Sequence, residues 1–158
     1  MNLLFISKYP PIEGGVSAQS YWLAKALGEK GHKVYVVSNC WEVETRYREQ
    51  IEESELRLLE PKNVELFSTS PEFKSSIPFS RYYESRLTSM ALDAIKKYSI
   101  DAVYSHYLLP YGVSALMLKK LAGKPWVLQH AGSDITRLFS FPQLKPIFVE
   151  CLNNADKV

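Results

Sequence analysis

Cysteine is scarce in this 158-residue chain. Its two copies, Cys40 and Cys151, lie far apart and without metal-ligand spacing, so neither a disulfide framework nor a cysteine-based metal site is indicated, and a reducing compartment fits. Long apolar runs are missing too. Leu3-Leu4-Phe5-Ile6 is too short for a secretory signal and runs into Lys8 and two prolines, and nothing approaches the roughly 20 apolar residues of a membrane span. A cytoplasmic protein is expected, one that at most touches the cytoplasmic face of a membrane peripherally. Charge of one sign is also lacking: 19 basic residues against 17 acidic leave +2, which gives no global electrostatic case for nucleic acid. No internal repeat, low-complexity tract or interdomain linker interrupts the chain. With 46% hydrophobic and 23% charged residues, it is sized for one domain around one core, residues 1–158.

Strand and helix signals alternate along the chain. Residues 2–7 read as a buried parallel strand, because consecutive large apolar residues leave no solvent-facing alternation. A helix is predicted over 16–30, with Val16, Ser20, Leu23, Ala24 and Leu27 on one face and Gly31 placed to end it. Residues 34–37 form a second strand and complete a βαβ unit whose crossover should be right-handed. Residues 38–76 are less regular and are expected to form a mobile excursion, with a charged solvated stretch at 42–55 and a strand at 64–67. After Pro78, Tyr83, Leu87, Met90, Ala91, Ala94, Ile95 and Tyr98 share one helical face and read as core. Just before and into that helix, Phe73, Lys74, Phe79, Arg81, Tyr82 and Arg86 mix aromatics with cations, a pattern open to two readings: a solvated face, or contact with an anionic acceptor or lipid headgroups. A strand at 102–107, a helix at 110–122 with Val113, Leu116, Met117 and Leu121 inward, and a strand at 125–129 follow. A short helical piece at 134–139 and a helix at 142–153, with Ile147, Phe148, Cys151 and Leu152 as its apolar face, end the chain. The pattern predicts an α/β, Rossmann-like, doubly wound and mainly parallel sheet flanked by helices.

Ligands on such sheets gather beyond the carboxyl ends of the strands, and three chemically unusual stretches fall there. The first is Lys8-Tyr9-Pro10-Pro11-Ile12-Glu13-Gly14-Gly15-Val16, stiffened by prolines and ended by glycines that permit close approach. If the helix starts near Val16, its free amides and dipole suit a phosphate or carboxylate; an ordinary strand-to-helix turn is the competing reading. The second is His106 and the third His130-Ala131-Gly132-Ser133-Asp134. His106, His130 and Asp134 lack the paired short spacing of metal ligands. The chain has no G-x-x-x-x-G-K-[ST], no G-x-G-x-x-G and no G-x-S-x-G, which disfavours a P-loop nucleotidase, a dinucleotide enzyme and a serine hydrolase. Ser133 or Asp134 would equally serve to cap the following helical piece, and His32 reads as a turn residue.

Four stretches carry a resemblance to a known family. They are Pro10-Pro11-Ile12-Glu13-Gly14-Gly15-Val16, Leu23-Ala24-Lys25-Ala26-Leu27 with Gly31-His32-Lys33-Val34, Asp101-Ala102-Val103-Tyr104-Ser105-His106-Tyr107, and Gln129-His130-Ala131-Gly132-Ser133-Asp134-Ile135. In this order and spacing the chain resembles the amino-terminal domain of family 4 retaining GT-B glycosyltransferases over nearly its whole length. The resemblance implies one half of a GT-B fold, a nucleotide-sugar donor held mostly by a carboxyl-terminal domain, and a saccharide, lipid-linked or small-molecule acceptor on the amino-terminal side. It implies that Gly14 and Gly15 form the loop over the donor diphosphate. It makes His130 the catalytic histidine beside the transferred sugar, and places His106, with Asp134, at the acceptor. The first histidine of the family's strand-end pair is Tyr104 here. No metal or other cofactor is implied. The donor-binding domain lies outside the 158 residues, so the expectation is a domain without useful transfer activity in isolation. A non-catalytic anion-binding or regulatory module with the same fold is the alternative.

Overall fold

The computed structural model describes residues 1–58, 60–69 and 82–158. The cation-aromatic residues Phe73, Lys74, Phe79 and Arg81 lie outside them. Five strands, β1 (Asn2–Ile6), β2 (Lys33–Ser38), β3 (Val64–Ser68), β4 (Ala102–His106) and β5 (Trp126–Gln129), pair in parallel in the order β3-β2-β1-β4-β5. Helices α1 (Gly15–Glu29), α2 (Glu53–Leu58), α3 (Tyr83–Tyr98), α4 (Val113–Ala122) and α5 (Lys145–Asn154) connect or flank them. Beyond α5, Lys157 pairs in parallel with Val127 of β5.

From β1 the chain steps outward to β2 and β3, then returns past β1 to β4 and β5. Right-handed crossovers in opposite directions put their helices on opposite faces. Accordingly α1 packs with Phe5, Val34 and Val36 on one face, while α3, α4 and α5 enclose Leu4, Ile6, Val103, Trp126 and Leu128 on the other. The sheet reverses its winding between β1 and β4, which opens a crevice at the carboxyl ends of those two strands.

The helices follow the expected boundaries within a few residues, but two faces are rotated. In α4, Met117 and Leu121 were expected inward and are 37% and 64% exposed, while Ser114, Ala115, Leu116 and Leu118 are buried. A kinked turn over Leu108–Gly112 starts the helix later than its apolar period suggests and shifts its phase. In α1 the buried stripe is Ser17, Ser20, Ala24 and Gly28, and Leu23 lies at 36% exposure. Small residues are needed because α1 lies close against its neighbours: a Cβ on Gly28 would sit 2.3 Å from the Lys62 carbonyl oxygen. Part of the stretch at 42–55 is tied to the rest of the domain. Ile12 and Arg48 form an antiparallel bridge, the Glu13 amide donates to the Tyr47 carbonyl at 2.8 Å, and the Glu49 amide donates to Pro11 at 2.9 Å. Glu42 accepts from the Thr69 hydroxyl and pairs with Arg86 at 2.5 Å.

Candidate active site

The proline-glycine loop leaves β1 at the crevice and enters α1 there. Gly14 is the residue before the helix, with φ +118°, a backbone state that side chains resist. The first intrahelical bond runs from the Ala18 amide to the Gly14 carbonyl at 3.0 Å, so the amides of Gly15, Val16 and Ser17 precede it. No side chain caps them and no acidic residue sits in the first turn. Gly14 and Gly15 are exposed, and a Cβ on either would meet nothing within 4 Å. The fold itself does not need that space, which leaves it open to a ligand. An anion placed there would be favoured by about 0.3–2 kcal/mol from the dipole alone.

His106 ends β4 with no solvent exposure. Its Nδ1 lies 3.5 Å from the Ser20 hydroxyl, which itself bonds Ser7 at 2.6 Å, and its Nε2 has no partner. Burial holds its pKa below the ordinary histidine value; Asp134 opposes that shift, and His130 and Lys8 add to it. The imidazole is therefore neutral near pH 7. Another buried, unpartnered polar atom, Ser17 Oγ, sits in the first turn of α1 at the same edge. Unsatisfied buried polar atoms are rare in folded proteins, and these two both lie toward the carboxyl-end edge of the sheet.

His130 follows β5 and is exposed. Its Nδ1 accepts from the Gly132 amide at 3.2 Å, which requires the proton of the neutral ring to be on Nε2 and leaves that N–H as a donor. The ring is thus held by its own loop.

Asp134 is fully buried, accepting from the Ala131 amide at 2.9 Å and its neighbour Ile135 at 3.1 Å through Oδ1, and from the Leu108 amide at 3.1 Å through Oδ2. It fastens the loop after β4 to the loop after β5, and its bond from the Ile135 amide satisfies a free N–H at the start of the short helical turn Asp134–Leu138, whereas Ser133, the residue before that turn, makes no side-chain capping bond.

Two residues were missed by sequence reasoning. Lys8, half-buried, places its Nζ 5.1 Å from the centre of the Tyr107 ring. Tyr107 has φ +80°, unusual for an aromatic residue, and is held by bonds from its amide to Gln129 and from Gly112 to its carbonyl. Only the position of Lys8 directly after a buried strand hinted at this. Tyr104, where the family pattern has a histidine, donates to Gln129 at 2.7 Å.

The model of Glycosyltransferase Family 4 matches residues 13–158. The chain belongs to that family. No curated protein matches it significantly. As a family 4 domain it serves glycosyl transfer, a reaction between a sugar donor and an acceptor, and its parallel α/β sheet is consistent with half of a GT-B fold. No helix among the described residues is long and apolar enough to cross a membrane. Nor, among those residues, do three or more histidine, cysteine or acidic side chains gather as metal ligands.

Proposed function

We propose that this domain forms the acceptor side of a glycosyltransferase that moves a sugar from a nucleotide-sugar donor with retention of anomeric configuration. The observation that carries the reading is the uncapped start of α1, with an exposed Gly14–Gly15 backbone, at the sheet edge that also bears His106 and His130. The bond between the anomeric carbon and the donor phosphate oxygen breaks, a bond to the acceptor oxygen forms on the same face, and the acceptor proton passes to the leaving diphosphate. Charge grows on the leaving oxygens as this happens. Fixed amides aimed at them stabilise the transition state more than the ground state. His130 supplies its Nε2–H or its carbonyl to orient the sugar and balance positive charge at the anomeric carbon. His106 offers its unpartnered Nε2 to the acceptor, and Asp134 is a positioning residue that holds both loops.

On this reading a second, donor-binding domain closes over the edge, the reaction needs no metal, and the protein works in the cytoplasm on a saccharide, lipid-linked or small-molecule acceptor. The exposure of Gly14, Gly15 and His130 supports a missing wall. The test is a panel of nucleotide sugars and acceptors, with product anomers read by NMR coupling. Residues 1–158 alone should not turn over; together with a donor-binding domain they should give retained product in the presence of EDTA. Efficient transfer by the chain alone, an inverted product, or loss of rate on chelation would each overturn the corresponding part.

A further inference from the structure

Among the described residues, Lys8 is a cation at this edge with no carboxylate paired to it. Lys8 lies half-buried at the end of β1, and among the described residues no carboxylate comes within ion-pair distance of its Nζ. The Asp134 carboxylate at the same edge is taken up by three backbone amides. The ammonium rests on the Tyr107 ring, and that ring is fixed by an unusual backbone state bonded on both sides, with its hydroxyl 3.5 Å from Ser133. A cation withdrawn from water and left unpaired costs stability, so a fold that pre-positions one is prepared for a ligand that neutralises it. Beside it, His106 Nε2 is buried with no partner.

We propose that Lys8, seated on Tyr107, is a binding residue for an anionic group of a substrate, a phosphate or carboxylate that enters between the ends of β1 and β4. The proposal rests on the glycosyl-transfer reading, and it deepens it: the domain selects a charged substrate group that helix amides alone would not specify. Two sources supply such chemistry, the diphosphate of the donor and an anionic substituent on the acceptor. Lysine suits either as a compact point charge on a flexible stem.

The experiment titrates the chain with a nucleoside diphosphate, a hexose 6-phosphate and the neutral hexose, following the His106 and His130 imidazole signals and the heat of binding. Lys8→Met keeps the stem on the ring, and Lys8→Arg keeps the charge; thermal melts confirm that both fold. Wild type should bind at least one anionic probe, about tenfold or more tighter than Lys8→Met, with Lys8→Arg close to wild type and the neutral hexose unaffected. Dependence on Lys8 for the nucleoside diphosphate assigns the donor as the source, and dependence for the hexose phosphate assigns the acceptor. Equal binding by Lys8→Met for both probes, or no binding by wild type, overturns the proposal. Lys8-dependent anion binding without sugar transfer in the fully assembled protein would instead sink the catalytic reading and leave this one standing.

Discussion

Replacing Asp134 tests whether the two site loops are truly fastened to each other. In Asp134→Ala the Leu108 amide, buried and 3.1 Å from Oδ2, loses its acceptor, at a cost of about 1–3 kcal/mol. The Ala131 and Ile135 amides, bonded at 2.9 and 3.1 Å and only part-buried, regain water in some measure and add about 0.5–1.5 kcal/mol each. The sum is about 4 kcal/mol. For a chain of 158 residues that lowers Tm by about 8–16 °C. Asp134→Asn separates the two halves of the contact. Its amide oxygen can still accept from Ala131 and Ile135, but its NH2 then faces the Leu108 amide donor to donor, which should cost about 2 kcal/mol. Urea titrations of the three proteins measure both values. The same variants should lower the His106 pKa further, because Asp134 opposes the effect of burial there. An Asn variant as stable as wild type, or an unmoved imidazole titration, would refute the clasp.

Gly28→Ala places a Cβ 2.3 Å from a backbone oxygen and should destabilise by about 1–3 kcal/mol in urea, with m unchanged. Gly15→Val should behave in the opposite way: its Cβ meets nothing within 4 Å, so stability holds within about 1 kcal/mol, while kcat of the assembled transferase falls about 100-fold. His106 has a depressed pKa in the fold, so the unfolded chain binds its proton first as pH falls; its contribution to stability is full above about pH 6.5 and declines as pH drops toward the folded value. Comparing unfolding free energies at pH 7.5 and 5.5 for wild type and His106→Gln should show a smaller drop in the variant.

The sheet was legible because its strands are buried on both faces and therefore read as uninterrupted apolar runs, as in Leu3-Leu4-Phe5-Ile6. Placing His106 and His130 at one edge followed from that alternation and needed no side-chain detail. Helix faces were harder. Apolar period alone favoured Leu23, Met117 and Leu121, whereas close approach to the sheet selects Ser20, Gly28 and Ala115, residues whose size matters more than their hydrophobicity. The bond that makes Asp134 a link between loops was hidden for a related reason. Its partner, Leu108, lies 26 residues away in the kinked turn before α4, and local sequence offered a capping role. Lys8 and Tyr107 were hidden because the ring's backbone angle, and so its place under the ammonium, is set by bonds to Gln129 and Gly112.

The strap formed by residues 45–49 across the proline-glycine loop couples two parts of the chain that share no buried core. Its consequence is a division of labour for engineering. Substitutions at Arg48, Tyr47 or Glu49 leave the sheet untouched yet shift the frame on which Gly14 and Gly15 hang. If the proposed site is right, a library confined to this exposed ribbon should alter substrate preference without loss of the fold.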